Sequence, residues 1–127
     1  MCLLDEVLLW DASHIVCRSR SHLAQDNPLR SEGRLRTVCG VEYAAQAMAV
    51  HGALLSSEPI AAGYLVSIRN LKLNTPDLDD SGETLTVDAK RLMGSAEGLV
   101  YEFTVATQKD TLLSGRATVS LFQGKRE

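Results

Sequence analysis

The residues best suited to catalysis or binding lie at the start of an alanine-rich segment in the middle of the chain. Glu42 comes first, and Gln46 follows it four residues later. In a helix this spacing places both side chains on one side, one turn apart. A carboxylate in a first helical turn can transfer protons in acid–base catalysis, and the helix dipole also stabilises it there without any catalytic duty. Gln46 can bind a substrate or hold the backbone of a neighbouring loop.

The three histidines provide one candidate for a second proton-transfer group. His22 is that candidate, because imidazole titrates near neutral pH and the residue precedes a polar loop. A surface histidine at a strand end would show the same pattern. His51 follows Glu42 by nine residues and so faces elsewhere on the helix, which predicts a structural role. We expect His14 to lie in a solvated turn.

The cysteines argue against a disulfide framework and against a zinc site. Cys2, Cys17 and Cys39 are odd in number and contain no C-x-x-C pair. The histidines show no metal-ligand spacing either, so we expect no metal and no other cofactor. Cys39 precedes the helix, where a thiolate nucleophile would be stabilised, but no His–Asp pair accompanies it. A small packing residue is the simpler interpretation.

Length and charge restrict the class of protein. The 127 residues suit a single domain over 1–127, and 45% of them are hydrophobic. A net charge of -3 argues against nucleic-acid and anionic-membrane partners, both of which need a basic surface. No apolar run is long enough to span a bilayer, and the first ten residues lack the basic start of a signal peptide. We therefore expect a cytoplasmic protein.

Periodicity predicts one helix among strands. The segment Glu42 to Leu55 is rich in alanine, lacks proline and is apolar nearly all round, which predicts a buried helix. The stretch Gly63 to Leu73 is apolar on both faces, which predicts a strand in the sheet centre or at a subunit interface. Gly115 is predicted to face the helix. Three later segments alternate between apolar and polar residues with period two: 85–90, 99–105 and 113–121. This pattern predicts antiparallel strands with one polar face, joined by turns at 94–98 and 109–110.

The segment Gly40 to Ala49, GVEYAAQAMA, is similar to the start of the central helix in β-hydroxyacyl-acyl carrier protein dehydratases. Those enzymes carry an acid there and a glutamine four positions on, as Glu42 and Gln46 do. Leu3 to Val7 resembles the family's first strand, and Asn27 to Leu29 resembles the entry to its catalytic loop. The likeness spans nearly the whole chain and is greatest for a divergent branch associated with aryl-polyene and polyketide pathways. It implies an α+β hotdog fold, with an antiparallel sheet wrapped around one long central helix.

The resemblance also implies roles for individual residues. Backbone N–H groups at Gly40 and Val41 would polarise a thioester carbonyl, because they lie at the positive end of the helix. In the family a loop histidine pairs with the helix acid, but Arg34 stands at that position here, in a shorter loop. We therefore predict two catalytic residues and four substrate-binding residues: Glu42 and His22 for the first group, and Gly40, Val41, Gln46 and Arg34 for the second.

The activity that the resemblance implies is dehydration of a 3-hydroxyacyl thioester carried by an acyl carrier protein or by coenzyme A. Arg30, Arg34 and Arg36 could meet the phosphate of the carrier's arm, or they could be ordinary exposed arginines. The strand Gly63 to Leu73 would join a twin, giving a homodimer or a hotdog heterodimer. Two alternatives stay open: a hotdog thioesterase that activates water with Glu42, and a silent acyl-binding subunit.

Overall fold

The computed structural model describes residues 3–55, 62–78, 82–94 and 98–122, without the side chains of residues 62–66 and 120–122. Within these residues one long helix packs against a six-stranded antiparallel sheet of order β1-β2-β4-β5-β6-β3. Two strands precede the helix, and the four strands predicted after it are present. The elements are β1 (Glu6–Asp11), β2 (His14–Ser19), α1 (Gly40–Leu55), β3 (Ala62–Leu73), β4 (Leu85–Gly94), β5 (Gly98–Ala106) and β6 (Thr111–Phe122).

The sheet buries one face against α1, and its other face is mostly polar in β4, β5 and β6. The inward positions alternate as the sequence predicts, because neighbouring residues of a strand point to opposite faces. The predicted turn at 109–110 joins β5 to β6. In the turn predicted at 94–98, residues 95–97 lie outside the described residues. The inward side chains of the last three strands include Leu85, Val87, Ala89, Tyr101, Phe103, Val105, Leu113 and Ala117.

The helix is buried on one face only, so the prediction of burial nearly all round is wrong. Tyr43, Ala44 and Ala47 are fully buried against the sheet, whereas Ala49 and Leu54 on the other side are exposed. Alanine favours helix whether or not it is buried, so an alanine-rich pattern does not define which face meets the sheet. In the protomer the sheet covers a single face of α1.

Gly115 lies on the buried face of the sheet, the face that α1 covers, but its nearest neighbours are side chains of adjacent strands. A Cβ built on Gly115 would lie 2.9 Å from Cζ of Phe103 and 3.4 Å from Cδ1 of Leu71. Phe103 lies directly opposite Gly115 in the register between β5 and β6. The missing side chain therefore makes room for the Phe103 ring across the strand, not for α1.

We expect the substitution Gly115→Val to destabilise the fold by about 1–3 kcal/mol, because the new side chain would overpack the Phe103 ring. Thermal unfolding followed by circular dichroism measures the change. The substitution Ser114→Val adds a β-branched side chain at the neighbouring, half-buried position and serves as the matched control. An unchanged melting temperature for Gly115→Val would contradict the register between β5 and β6.

The far end of α1 is held by a buried histidine. His51 is fully buried; its Nε2 donates to the carbonyl of Asp11 (2.8 Å), and its Nδ1 accepts from the hydroxyl of Tyr101 (2.7 Å). Arg91 donates to the same hydroxyl (3.2 Å). The predicted structural role of His51 therefore agrees with its contacts. His14 was predicted to lie in a solvated turn, but it is the first residue of β2. Its Nε2 lies 2.7 Å from Oδ1 of Asp88.

Burial lowers the pKa of His51, and the charge of Arg91 lowers it further. The folded state therefore binds fewer protons than the unfolded state below the ordinary histidine pKa of about 6.5. We expect the free energy of unfolding to be unaffected by this group above that pH and to decrease as the pH falls below it. Urea unfolding at several pH values measures how the free energy of unfolding depends on pH. The His51→Gln variant should show a weaker dependence, and an equal dependence in both proteins would contradict the account.

Candidate active site

Glu42 lies in the first turn of α1, and its side chain is exposed in the protomer. Within the described part of the chain it forms no hydrogen bond and no ion pair. Its negative charge reaches Cys39, where it contributes to raising the pKa of the thiol. Glu42 therefore lies at the positive end of the helix dipole and is accessible from the open surface.

A buried hydrogen-bond network fixes the turn that carries Glu42. The next residue, Tyr43, is fully buried, and its hydroxyl lies 2.8 Å from Oγ of Ser21 and accepts from the amide of Asn27 (3.1 Å). Ser21 itself donates to the carbonyl of Leu3 (2.7 Å). Burial raises the pKa of Tyr43, so the phenol stays protonated and can donate to Ser21. The network ties the helix start to the segment that follows β2.

Gly40 is the first residue of α1 and has a packing reason to be glycine. A Cβ built there would clash with Cδ2 of Leu113 on β6. The N–H of Gly40 donates to the carbonyl of Thr37, in the 3₁₀ turn Thr37–Cys39 that leads into the helix. Val41 is half-buried and packs against the core. A thioester oxygen bound at Gly40 would therefore have to share this N–H with the Thr37 carbonyl.

Two loops that are distant in sequence meet beside the helix start. The N–H of Leu78 donates to the carbonyl of Leu35 (2.8 Å), and the N–H of Thr37 donates to the carbonyl of Pro76 (2.9 Å). Arg34 extends this short ladder with a forked ion pair to Asp77 (2.9 Å). The loop before α1 is thereby fixed to the loop that follows β3.

The three loop arginines have different partners. Arg34 is engaged with Asp77, and Arg30 holds its own loop by donating to the carbonyls of Ala24 (2.8 Å) and His22 (2.9 Å). Arg36 is exposed and has no side-chain partner among the described residues. Of the predicted basic cluster, Arg36 is therefore the residue available to an anion without breaking an existing contact.

Gln46 holds backbone one turn beyond Glu42. Its Oε1 accepts from the N–H of Leu3 at 2.7 Å, and Leu3 is buried in the core just before β1. The resemblance placed Leu3 in the first strand, which instead begins at Glu6. Gln46 thus anchors the segment before β1 to the helix, and its predicted contact with substrate remains a prediction.

His22 lies in a second 3₁₀ turn, Ser21–Leu23, and its ring is fully buried. Nε2 lies 2.7 Å from the carbonyl of Glu83. Because a carbonyl only accepts, Nε2 carries the hydrogen, and in the neutral ring Nδ1 is the basic nitrogen. The turn adjoins Ser21 and so the Tyr43 network, but His22 does not hydrogen-bond to Glu42. Its catalytic role remains a prediction.

Cys39 is not prepared for nucleophilic attack. Burial raises the pKa of its thiol, and Glu42 raises it further. Its Sγ lies 3.7 Å from the carbonyl of Leu29. A reactive cysteine needs surroundings that favour the thiolate, so these contacts support the packing interpretation.

Open clefts flank the two joined loops. One cleft, with a volume of about 440 Å³, is lined by Arg36, Val38, Leu73 and Pro76 among others. A second, of about 690 Å³, lies between the loop after β3 and the turn between β5 and β6. Val38 and Leu73 are about half exposed, so the first cleft presents apolar surface at the open edge of β3.

The structure therefore brings only part of the predicted site together. Gly40, Val41 and Glu42 share the first helical turn, and Gln46 follows one turn later. Arg34 lies in the loop beside them but faces Asp77, and His22 is buried. Asp77 and Tyr43 were missed as positioning residues, because their contacts are long-range in sequence.

One long helix on an antiparallel sheet, with an acid in its first turn, defines a hotdog-fold protein of the kind that handles acyl thioesters. The family assignment is finer: the family described as ApeP-like, ApeP dehydratase, matches residues 1–126, and the chain belongs to that family. This confirms the resemblance to the divergent aryl-polyene-associated dehydratases. The comparison with curated protein sequences gave no match.

Solved structures agree on the fold. The dehydratase heterocomplex ApeI:P from Xenorhabdus doucetiae superposes with a TM-score of 0.84 at 20% identity, over 96% of this chain and 84% of that one. A thioesterase from Haemophilus influenzae superposes with a TM-score of 0.70 at 16% sequence identity, over 96% of this chain and 80% of that one. A thioesterase from Pseudomonas aeruginosa superposes with a TM-score of 0.64 at 11% sequence identity, over 91% of this chain and 78% of that one. These similarities confirm the hotdog fold.

In the described part of the chain, no helix has the length and apolar character needed to cross a bilayer.

Proposed function

We propose that residues 1–127 form one hotdog domain that dehydrates a 3-hydroxyacyl thioester to the 2-enoyl thioester in fatty-acid or polyketide-type biosynthesis. Family membership supports the reaction type. The proposed compartment is the cytoplasm, in keeping with Cys17 and Cys39, neither of which forms a disulfide within the described residues.

The reaction removes one water molecule. A base takes the proton from C2, the C3–O bond breaks, and an acid protonates the departing hydroxyl while a double bond forms between C2 and C3. Donors to the thioester oxygen stabilise the charge that develops on it when C2 loses its proton. We assign Glu42 to proton transfer at the hydroxyl, and the N–H groups of Gly40 and Val41 to the thioester oxygen.

The observation that carries this proposal is the position of Glu42. Its carboxylate is exposed, lies at the positive end of α1 and follows the 3₁₀ turn whose Val38 lines an open cleft. A structural acid would be expected to cap the helix or to form an ion pair, and Glu42 does neither within the described residues. A carboxylate that has no partner among the described residues, four positions after the cleft-lining Val38, is available to a substrate hydroxyl.

We also propose that a second hotdog subunit completes the site by pairing along β3. This strand is an edge of the sheet, and its Leu71 and Leu73 are exposed close to the cleft. An open, partly apolar edge strand is a template for another strand. The predicted pairing of Gly63 to Leu73 with a twin is compatible with this edge, and the similar Xenorhabdus protein is a dehydratase heterocomplex.

The carrier of the substrate is proposed to be an acyl carrier protein or coenzyme A. Arg36 lines the cleft without another partner among the described residues, and Arg34 lies in the same loop. Guanidinium groups bind phosphate well, so these residues can meet the phosphate of a pantetheine arm. Gln46 supports the site from one helical turn away.

A silent subunit is the second candidate, and one observation favours it. Within the described residues none of the three histidines hydrogen-bonds to Glu42: His14 faces Asp88, His22 faces Glu83 and His51 faces Asp11 and Tyr101. The partner would then supply the missing base. A thioesterase fits less well, since Cys39 is not activated and Glu42 would have to direct the water.

Product analysis tests the proposal. The chain, alone and co-expressed with its hotdog partner, is incubated with a 3-hydroxyacyl carrier protein, and the carrier is analysed by mass spectrometry. Loss of one water from the bound acyl group supports dehydration. Release of free acid would show a thioesterase. Turnover only in the preparation with the partner, at a rate that Glu42→Gln leaves unchanged, would show a silent subunit.

A further inference from the structure

The edge strand β3 carries two cations that no carboxylate neutralises within the described residues. Arg69 and Lys72 are exposed, and neither forms an ion pair there. On the neighbouring strand β6, Arg116 lies directly opposite Arg69 and is already paired with Glu102 of β5 (3.7 Å). Lys90, Glu102 and Arg116 face one another across β4, β5 and β6, and their charges alternate between positive and negative. The next residue across, Arg69 on β3, places a second positive charge beside that of Arg116.

A bulge places both cations on the same face. Asn70 has a left-handed backbone (φ 56°), and the register with β6 shifts between Arg69 and Lys72. Arg69 lies opposite Arg116, whereas Lys72 lies opposite Ser114, only two residues away on β6. Without the extra residue, positions three apart would point to opposite faces. The bulge thus aligns two positive charges along the outer face of an open edge.

We propose that Arg69 and Lys72 select the strand that pairs with β3: they favour a partner strand with carboxylates on its outer face and disfavour a second copy of this chain. The inference rests on the pairing at β3 proposed above. The sequence of β3, AGYLVSIRNLKL, contains no acidic residue, so a second copy offers no carboxylate in any register. Like charges on neighbouring strands repel, and cations on an edge strand are a common device against self-pairing.

A charge-reversed copy of the chain provides an acidic partner of known structure. The double variant Arg69→Glu/Lys72→Glu is mixed with the wild-type chain, and sedimentation measures dimer formation at about 20 mM salt, where charges act over about 20 Å. We expect the mixed dimer to form at about tenfold lower concentration than a dimer of either protein alone. At about 0.5 M salt, where screening is strong, the preference should disappear.

The matched control reverses two exposed cations away from β3: Lys90 on β4, and Lys109 in the turn between β5 and β6, where it pairs with Glu83 (3.6 Å). Lys90→Glu/Lys109→Glu changes the net charge by the same amount, and a mixture with wild type should gain no comparable affinity. A wild-type dimer as tight as the mixed dimer, or an equal gain with the control, would overturn the charge selection and leave the proposed function intact. If all the proteins fold but no mixture forms a dimer, pairing at β3 does not occur. Both the charge selection and the proposed shared site would then be wrong.

Discussion

Glu42→Gln is expected to abolish dehydration while leaving the fold intact. The amide keeps the shape of the side chain but can neither deliver nor accept the proton, and loss of a general acid or base lowers rates by about 100- to 10,000-fold. Because Glu42 is exposed and unpaired within the described residues, its removal should change the melting temperature very little. The rate of enoyl thioester formation by the complex with its hotdog partner is the measurement.

The matched control for this variant is Glu102→Gln. Glu102 is equally an exposed glutamate, but it lies on the outer face of the sheet in an ion pair with Arg116. It should retain the wild-type rate. If Glu42→Gln turned over substrate as fast as Glu102→Gln, Glu42 would have no part in the reaction.

The second large effect is expected at His22. If its imidazole transfers the second proton, His22→Ala should lower the rate by about 100- to 10,000-fold, as for any general acid or base. The alanine variant also removes the bond to the Glu83 carbonyl, and loss of such a hydrogen bond costs about 0.5–1.5 kcal/mol. Activity alone would therefore not separate catalysis from folding.

His22→Gln makes that separation. The glutamine amide can still donate to the Glu83 carbonyl, but it has no titratable nitrogen. A stable and inactive His22→Gln protein would support proton transfer by His22. A stable protein with the wild-type rate would show that His22 only holds its turn against the segment before β4, and that the partner subunit supplies the base.

The strands and the helix were predictable from the sequence because their patterns are local. Alternation in β4, β5 and β6 reports directly which side chains face the core, and the alanine-rich segment without proline reports helix. The side of the helix that faces the sheet was not predictable, because alanine carries little information about burial. Gly115 was assigned to the correct face but to the wrong neighbour, since its contact with Phe103 depends on the cross-strand register.

The candidate site was predictable only where its residues are adjacent in sequence. Gly40, Val41 and Glu42 follow from one helical turn. Asp77 reaches Arg34 from 43 residues away, through a ladder between two loops that have no periodic pattern. No local signal in the sequence reports such a contact, and the same is true of the bond between His22 and the Glu83 carbonyl.

The most direct test of the central claim is a crystal structure of the Glu42→Gln chain with its hotdog partner and a bound 3-hydroxyacyl-pantetheine. The inactive variant keeps the substrate intact while preserving the side-chain position. The account predicts the amide of residue 42 within about 2.6–3.2 Å of the 3-hydroxyl oxygen, the reach of a general acid. A substrate bound with its hydroxyl beyond that reach, and with residue 42 still facing solvent, would contradict the assignment of Glu42 as the proton-transfer group.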